Sequence, residues 1–297
     1  MQSFSRGWSF LKQAWGMAFK DKDLLKPSVY ALIVGMIVSV IGIIPLAGAA
    51  FFLGDSQIGR VILFILGGIL VFAQFVVTYV FSGMTVYLIY GYLTQGDGRM
   101  DKAWAIVQRD FLDILTLAAA STAVNLLRSL ANRNRRGIAG NLVRSATGLL
   151  QTLWTEAAFL ILPAMVIDDL NLKNGMQRVL NITKENLLLI GISTVGVRFV
   201  TGLIGFLFGA LGFVIGLAIG GVAAYISGGS TAVSIFGIII GALVFFVFVM
   251  LSSIFSSYTN TAYHTCLYIW ARDVETAKAQ GSSVQVRAPA PLAAALA

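Results

Sequence analysis

Residues 201–221 read TGLIGFLFGALGFVIGLAIGG, an uncharged run with a glycine at nearly every third or fourth position. In water each glycine costs a helix roughly 1 kcal/mol relative to alanine. In hydrocarbon an unpaired backbone group costs more than that, so the helix is imposed and glycine loses much of its disadvantage. At about 100° per residue, Gly202, Gly205, Gly209, Gly212, Gly216 and Gly220 fall within a sector of about 80°. Ile204, Phe206, Phe208, Leu211, Phe213 and Leu217 lie outside that sector. Such a stripe makes a flat groove that lets another backbone approach closely. The run is one arm of a longer tract, from Phe199 to Ala271, that holds no Lys, Arg, Asp or Glu and is split by SGGS at 227–230.

The rest of the chain has the same character. Of its 297 residues 58% are hydrophobic and 11% charged, where a soluble domain carries about 25% charged residues. Mean hydropathy is +0.85. Several apolar runs exceed the roughly 20 residues that span a bilayer core, and the short alternating segments of an outer-membrane barrel are absent. The expected fold is therefore all-α: a polytopic transmembrane helix bundle of about six spans.

A net charge of +8 and a pI near 9.7 fit basic loops facing anionic lipid. They do not indicate nucleic acid, because the arginines share no motif with stacking aromatics. One cysteine, Cys266, excludes an internal disulfide, and one histidine, His264, argues against a histidine metal centre. No Walker loop, H-E-x-x-H, G-x-S-x-G or paired-carboxylate arrangement is present, so neither a cofactor nor an enzyme is implied.

Three regions follow from the charge pattern. Residues 1–27 form an interfacial amphipathic helix, with Phe4, Trp8, Leu11, Trp15 and Phe19 on one face and Arg6, Lys12 and Lys20 away from its centre. Trp8, Trp15, Arg6 and Lys12 are the lipid-interface residues of that reading; packing against other protein is the alternative. Seven charges precede the first long apolar run, so that run is expected to stay as an anchor and not to be cleaved. Residues 28–271 are the transmembrane domain, and 272–297 are a small-residue tail expected to be mobile.

Within the domain the spans are expected at about 28–53, 61–80, 111–130 and 147–166, followed by the two arms around SGGS. A polar segment at 168–186 would return along the surface. The alternative is that the fifth arm breaks at its glycines and supplies a seventh span. With six spans, the side holding the N-terminus carries fourteen Lys/Arg and the opposite side six, which puts both termini in the cytoplasm of a bacterial inner membrane. Arg133, Arg135 and Arg136, in NRNRRG, form a basic loop on the outer side.

Charges inside spans are costly and normally face a partner or water. Arg198 lies on the glycine face of the fifth arm, and Glu156 in the fourth span falls at a similar depth. They are read either as a fixed pair or as the lining of a polar path. Asp113, Asn125 and Gln74 are expected to hydrogen-bond across helices, and His264 and Cys266 to be packed side chains.

The stretches SFSRGWSFLKQAW at the N-terminus, FLILPAMVIDD at 159–169 and SSIFSSYTNTAYHTCLYIWA near the end resemble an uncharacterised family of bacterial six-helix integral-membrane proteins. Phe159 stands one residue further from Pro163 than in that family's pattern. The layout is also distantly similar to membrane domains attached to glycerophosphodiester phosphodiesterases. The resemblance implies the six-span fold and transfers no catalytic or binding residue. The function expected is an oligomeric channel or transport-type pore favouring anions. The alternative is a non-catalytic scaffold or accessory subunit, in contact with lipid and with further copies or other membrane subunits.

Overall fold

The structure is a computed structural model, and it describes residues 2–54, 56–133, 138–226, 231–280 and 286–296. The side chains of residues 2–4, 133, 138–142, 183, 185–199, 224, 226, 232 and 295–296 are outside the description. Among the described residues there is no strand. The helices are α1 (Gln2–Lys20), α2 (Lys26–Leu53), α3 (Gln57–Gln95), α4 (Met100–Arg109), α5 (Phe111–Arg133), α6 (Ile138–Asp168), α7 (Leu172–Ile226), α8 (Thr231–Ala279) and α9 (Ala290–Leu296). Six helices contain stretches long and apolar enough to cross a membrane, namely α2, α3, α5, α6, α7 and α8. The chain is an all-α, multi-pass membrane protein.

The long helices pair as three antiparallel hairpins, α2–α3, α5–α6 and α7–α8. Capping residues fix the ends locally. Pro27 stands in the first turn of α2, where its missing N–H costs nothing. Ser56 Oγ accepts from Gly59 N at 3.0 Å to start α3. Gly96, at φ 79°, closes α3 in the left-handed conformation that a residue with a Cβ enters only at a cost. Asp21 then ties two levels together: one carboxylate oxygen accepts from Asp23 N and the other from Gly98 N, at 3.0 and 2.9 Å.

Two expectations change. The segment at 168–186 does not form a separate surface element. From Leu172 it is the first part of α7, which runs unbroken for 55 residues. Asn171 caps that helix by accepting from Asn174 N at 3.0 Å. No break at the glycines supplies a seventh span. At about 1.5 Å per residue α7 is roughly 80 Å long, far more than the ~30 Å hydrocarbon core. The helix therefore serves as a span in one part and as protein-packed structure in another.

The other change concerns the chain ends. One face of α1, carrying Phe10, Leu11, Ala14, Met17 and Ala18, is buried, and the helix packs against α7, α8 and α9. In the tail, α9 buries Leu292 completely, and Trp270 Nε1 donates to Val286 O at 3.3 Å. A single leucine and a few alanines are enough to dock a seven-residue helix when a groove is already there.

The core sits at the end of the bundle opposite the hairpin turns. It gathers Leu88 and Ile89 of α3, Ile114 and Leu117 of α5, Ile161 and Met165 of α6, and Tyr258, Tyr263 and Cys266 of α8. The outer parts of the hairpins expose their apolar side chains, for example Ile44, Phe51, Phe206 and Phe236.

Candidate functional site

Where the outer arms meet the core, α6, α7 and α8 enclose a cavity of about 350 Å³. Its wall carries five polar side chains: Thr155 from α6, Thr201 from α7, and Ser256, Ser257 and Asn260 from α8, with Phe159 and Gly202 completing it. Polar side chains inside spans normally turn toward one another or toward water, since hydrocarbon offers them no partner. Here five of them converge on one space.

One turn deeper along α8 lies His264, 1% exposed. Its Nδ1 is 2.8 Å from the Asn260 carbonyl, and its Nε2 is 3.2 Å from Glu156 Oε2 on α6. Phe159 stacks on the imidazole, with ring centroids 5.2 Å apart at 24°, and the Tyr263 ring meets it nearly edge-on at 81°. The cavity wall and this ionisable pair thus share Asn260 and Phe159. The sequence reading of His264 as a packed side chain missed the pair. The available signal was that His264 lies one helical turn from Asn260 in SSIFSSYTNTAYHT, a polar stretch of the charge-free tract.

The carboxylate predicted to meet Arg198 therefore has a histidine beside it. Arg198 is helical within α7, three residues before Thr201, but its side chain lies outside the described residues, so the expected pairing is not among the described contacts. The same holds for the basic loop: Arg135 and Arg136 lie outside the described residues, as does the side chain of Arg133.

The glycine stripe is placed in detail. A Cβ added to Gly216 would stand 2.6 Å from Gly241 O, so the α7 and α8 backbones touch there. At Gly212 the obstacle is the Phe248 side chain, also at 2.6 Å; Gly205 faces Ser252, and Gly220 lies near Ile238. Gly202 and Gly209 have no heavy atom within 4 Å of such a Cβ.

Of the residues read as lipid-facing on α1, Trp8 is 51% exposed, Lys12 is exposed and Arg6 half-buried. Trp15 turns inward, donating from Nε1 to Thr259 Oγ1 at 3.0 Å, while Tyr258 OH donates to Ala14 O at 3.0 Å. Gln74 does bond across helices, from Nε2 to Gly35 O at 2.9 Å and Ser39 Oγ at 2.8 Å. Asp113 and Asn125 instead line two further cavities, of about 490 and 340 Å³.

At the foot of the core, charges close on each other. Asp168 accepts from Tyr268 OH and, at 3.2 Å, from Arg272 Nη1. The Arg272 guanidinium also lies over the Tyr90 ring, 5.5 Å from its centroid. Arg178 pairs with Glu275 at 2.5 Å. Arg109 pairs with Asp110 at 2.6 Å and with Asp169 at 3.1 Å; the hydrogen bond to Asp110 raises the guanidinium pKa above its ordinary value. Asp169 holds a positive φ of 54°, a conformation that aspartate tolerates better than most residues.

The three stretches singled out in the sequence thus pack together: α1 on the polar part of α8, and the end of α6 on its last turns. No protein-family model matches this chain, and no curated protein matches it in sequence.

Proposed function

We propose that the protein is an oligomeric channel or transport-type pore of the bacterial inner membrane, with both termini cytoplasmic, and that the α6–α7–α8 cavity handles its solute. The observation that carries this reading is the convergence of Thr155, Thr201, Ser256, Ser257 and Asn260 on one space within spans, next to an ionisable pair. Groups of this kind are expensive in hydrocarbon unless they serve a partner or a path. The preference for anions rests on Arg198, three residues from Thr201 in sequence, and on the outer Arg133, Arg135 and Arg136. No cofactor enters the reading.

Purified protein in liposomes tests it. Small anions should pass, and Asn260→Leu, which replaces a polar wall side chain by an apolar one, should reduce flux while leaving the elution profile unchanged. Absence of flux from a folded protein rejects the transport reading. Orientation is tested separately, by labelling Ser227→Cys in a Cys266→Ala background: the cysteine should react from outside, and reaction only from inside rejects the topology.

A scaffold or accessory subunit is the second reading. It is favoured by the way core polar groups satisfy one another, as where Tyr79 OH and Ser121 Oγ lie 2.7 Å apart and Trp154 Nε1 donates to the same Ser121 oxygen at 2.8 Å. Closed networks of this kind make a rigid surface for other subunits.

A further inference from the structure

We infer that Glu156 and His264 form a proton-binding site that clamps α6 to α8 beside the cavity, and that loss of its proton loosens the clamp. A backbone carbonyl has no hydrogen to give, so at 2.8 Å from Asn260 O the His264 Nδ1 must carry one. In the neutral ring that leaves Nε2 as a bare acceptor. A carboxylate is likewise acceptor-only.

Yet Nε2 and Glu156 Oε2 stand 3.2 Å apart, at hydrogen-bond distance. One proton has to lie between them, on the imidazolium or on the carboxylic acid. Remove it to bulk water, and two lone pairs face each other in a setting where 1% of the histidine is exposed. The contact then repels, and α6 and α8 lose it.

The surroundings make the release consequential. Phe159 stacks on the ring and Asn260 holds its Nδ1, and both are wall residues of the cavity. Displacement of the ring is therefore displacement of the wall. Tyr263 on α8 stands beside the pair, its ring meeting the imidazole edge-on. The hydroxyl-bearing Thr201 of α7 lines the same cavity, and Arg198 precedes it by three residues in the sequence. A cationic neighbour holds Glu156 ionised and places the shared proton on His264, which leaves the count unchanged. The clamp itself follows from this geometry; its meaning as control of permeation rests on the transport reading above.

Because His264 is the only histidine, ring-labelled [15N]histidine in the intact protein in nanodiscs reports one imidazole. From about pH 5 to about pH 9, bracketing the ordinary value near 6.5, Nδ1 should stay protonated while only the proton shared with Glu156 is lost. The thermal midpoint should fall as pH rises through that step. In Glu156→Gln the amide donates to Nε2 without a shared proton, so the ring's titration should move by about one pH unit or more. The fall in thermal midpoint at that step should disappear. A neutral ring carrying its hydrogen on Nε2, or a ring that titrates identically in wild type and E156Q, overturns the inference. If E156Q does not fold, the wild-type nitrogen assignment decides alone. Liposome flux is scored apart: a ring that titrates as described in a protein passing no ions rejects the transport reading and leaves the proton site standing.

Discussion

The two halves of α8 are built on opposite principles. From Val233 to Leu251 the helix exposes nearly every large apolar side chain, including Phe236, Ile238, Leu243 and Phe246. From Tyr258 to Tyr268 it buries tyrosines, threonines, His264 and Cys266. A water-soluble protein would show the reverse, polar outside and apolar inside. In the outer half there is no hydrophobic force between helices, because lipid tails are as apolar as leucine; close backbone contact has to hold the hairpin instead. In the inner half, side-chain volume and hydrogen bonds do the holding. One continuous helix thus depends on shape at one end and on packing with polar closure at the other.

The largest effect should separate the halves outright. Tyr258 is fully buried and donates to Ala14 O, so Tyr258→Ala should cost about 3–5 kcal/mol of stability. Phe246→Ala, at a site 48% exposed, should cost under about 1 kcal/mol, because its ring already faces an apolar medium. Denaturant unfolding in mixed micelles compares the two, and equal losses would erase the distinction.

Within the outer half, Gly216→Leu should cost about 1–3 kcal/mol or part the hairpin, since Gly241 O lies where the new side chain must begin. Gly209→Leu has open space and should fall within about 0.5 kcal/mol. A large loss at Gly209 would reveal a second surface seated on that glycine.

A further modest effect concerns a polar contact between outer arms. Gln74→Leu removes two donations to α2, and hydrogen bonds between membrane helices average about 0.6 kcal/mol. A drop beyond about 2 kcal/mol would mean that the outer half depends on polar closure after all.

Much of this division was legible in the sequence, and the reason is physical. Span number follows from hydropathy, because burial in lipid acts on each segment separately. The stripe from Gly202 to Gly220 could be read as a packing groove, but which glycines touch depended on where Gly241 and Phe248 fall on a partner helix. The inner half was harder. Trp15 has the same amphipathic signature whether it meets lipid or Thr259, and nothing near His264 in the chain points to Glu156, 108 residues away. Leu292 looked like part of a featureless tail because one buried side chain leaves no periodicity.

The docking of α1 has a consequence in time. Helix α1 is made before the helices it rests on, α7, α8 and α9, which begin at Leu172, Thr231 and Ala290. Until they are made, Phe10, Leu11 and Ala14 have no protein surface to cover them. An amphipathic helix with basic residues beside its apolar face is suited to a bilayer surface. The same face is thus suited to two successive neighbours, lipid during synthesis and protein at completion. Trp15 has Thr259 as a partner only once α8 has been made.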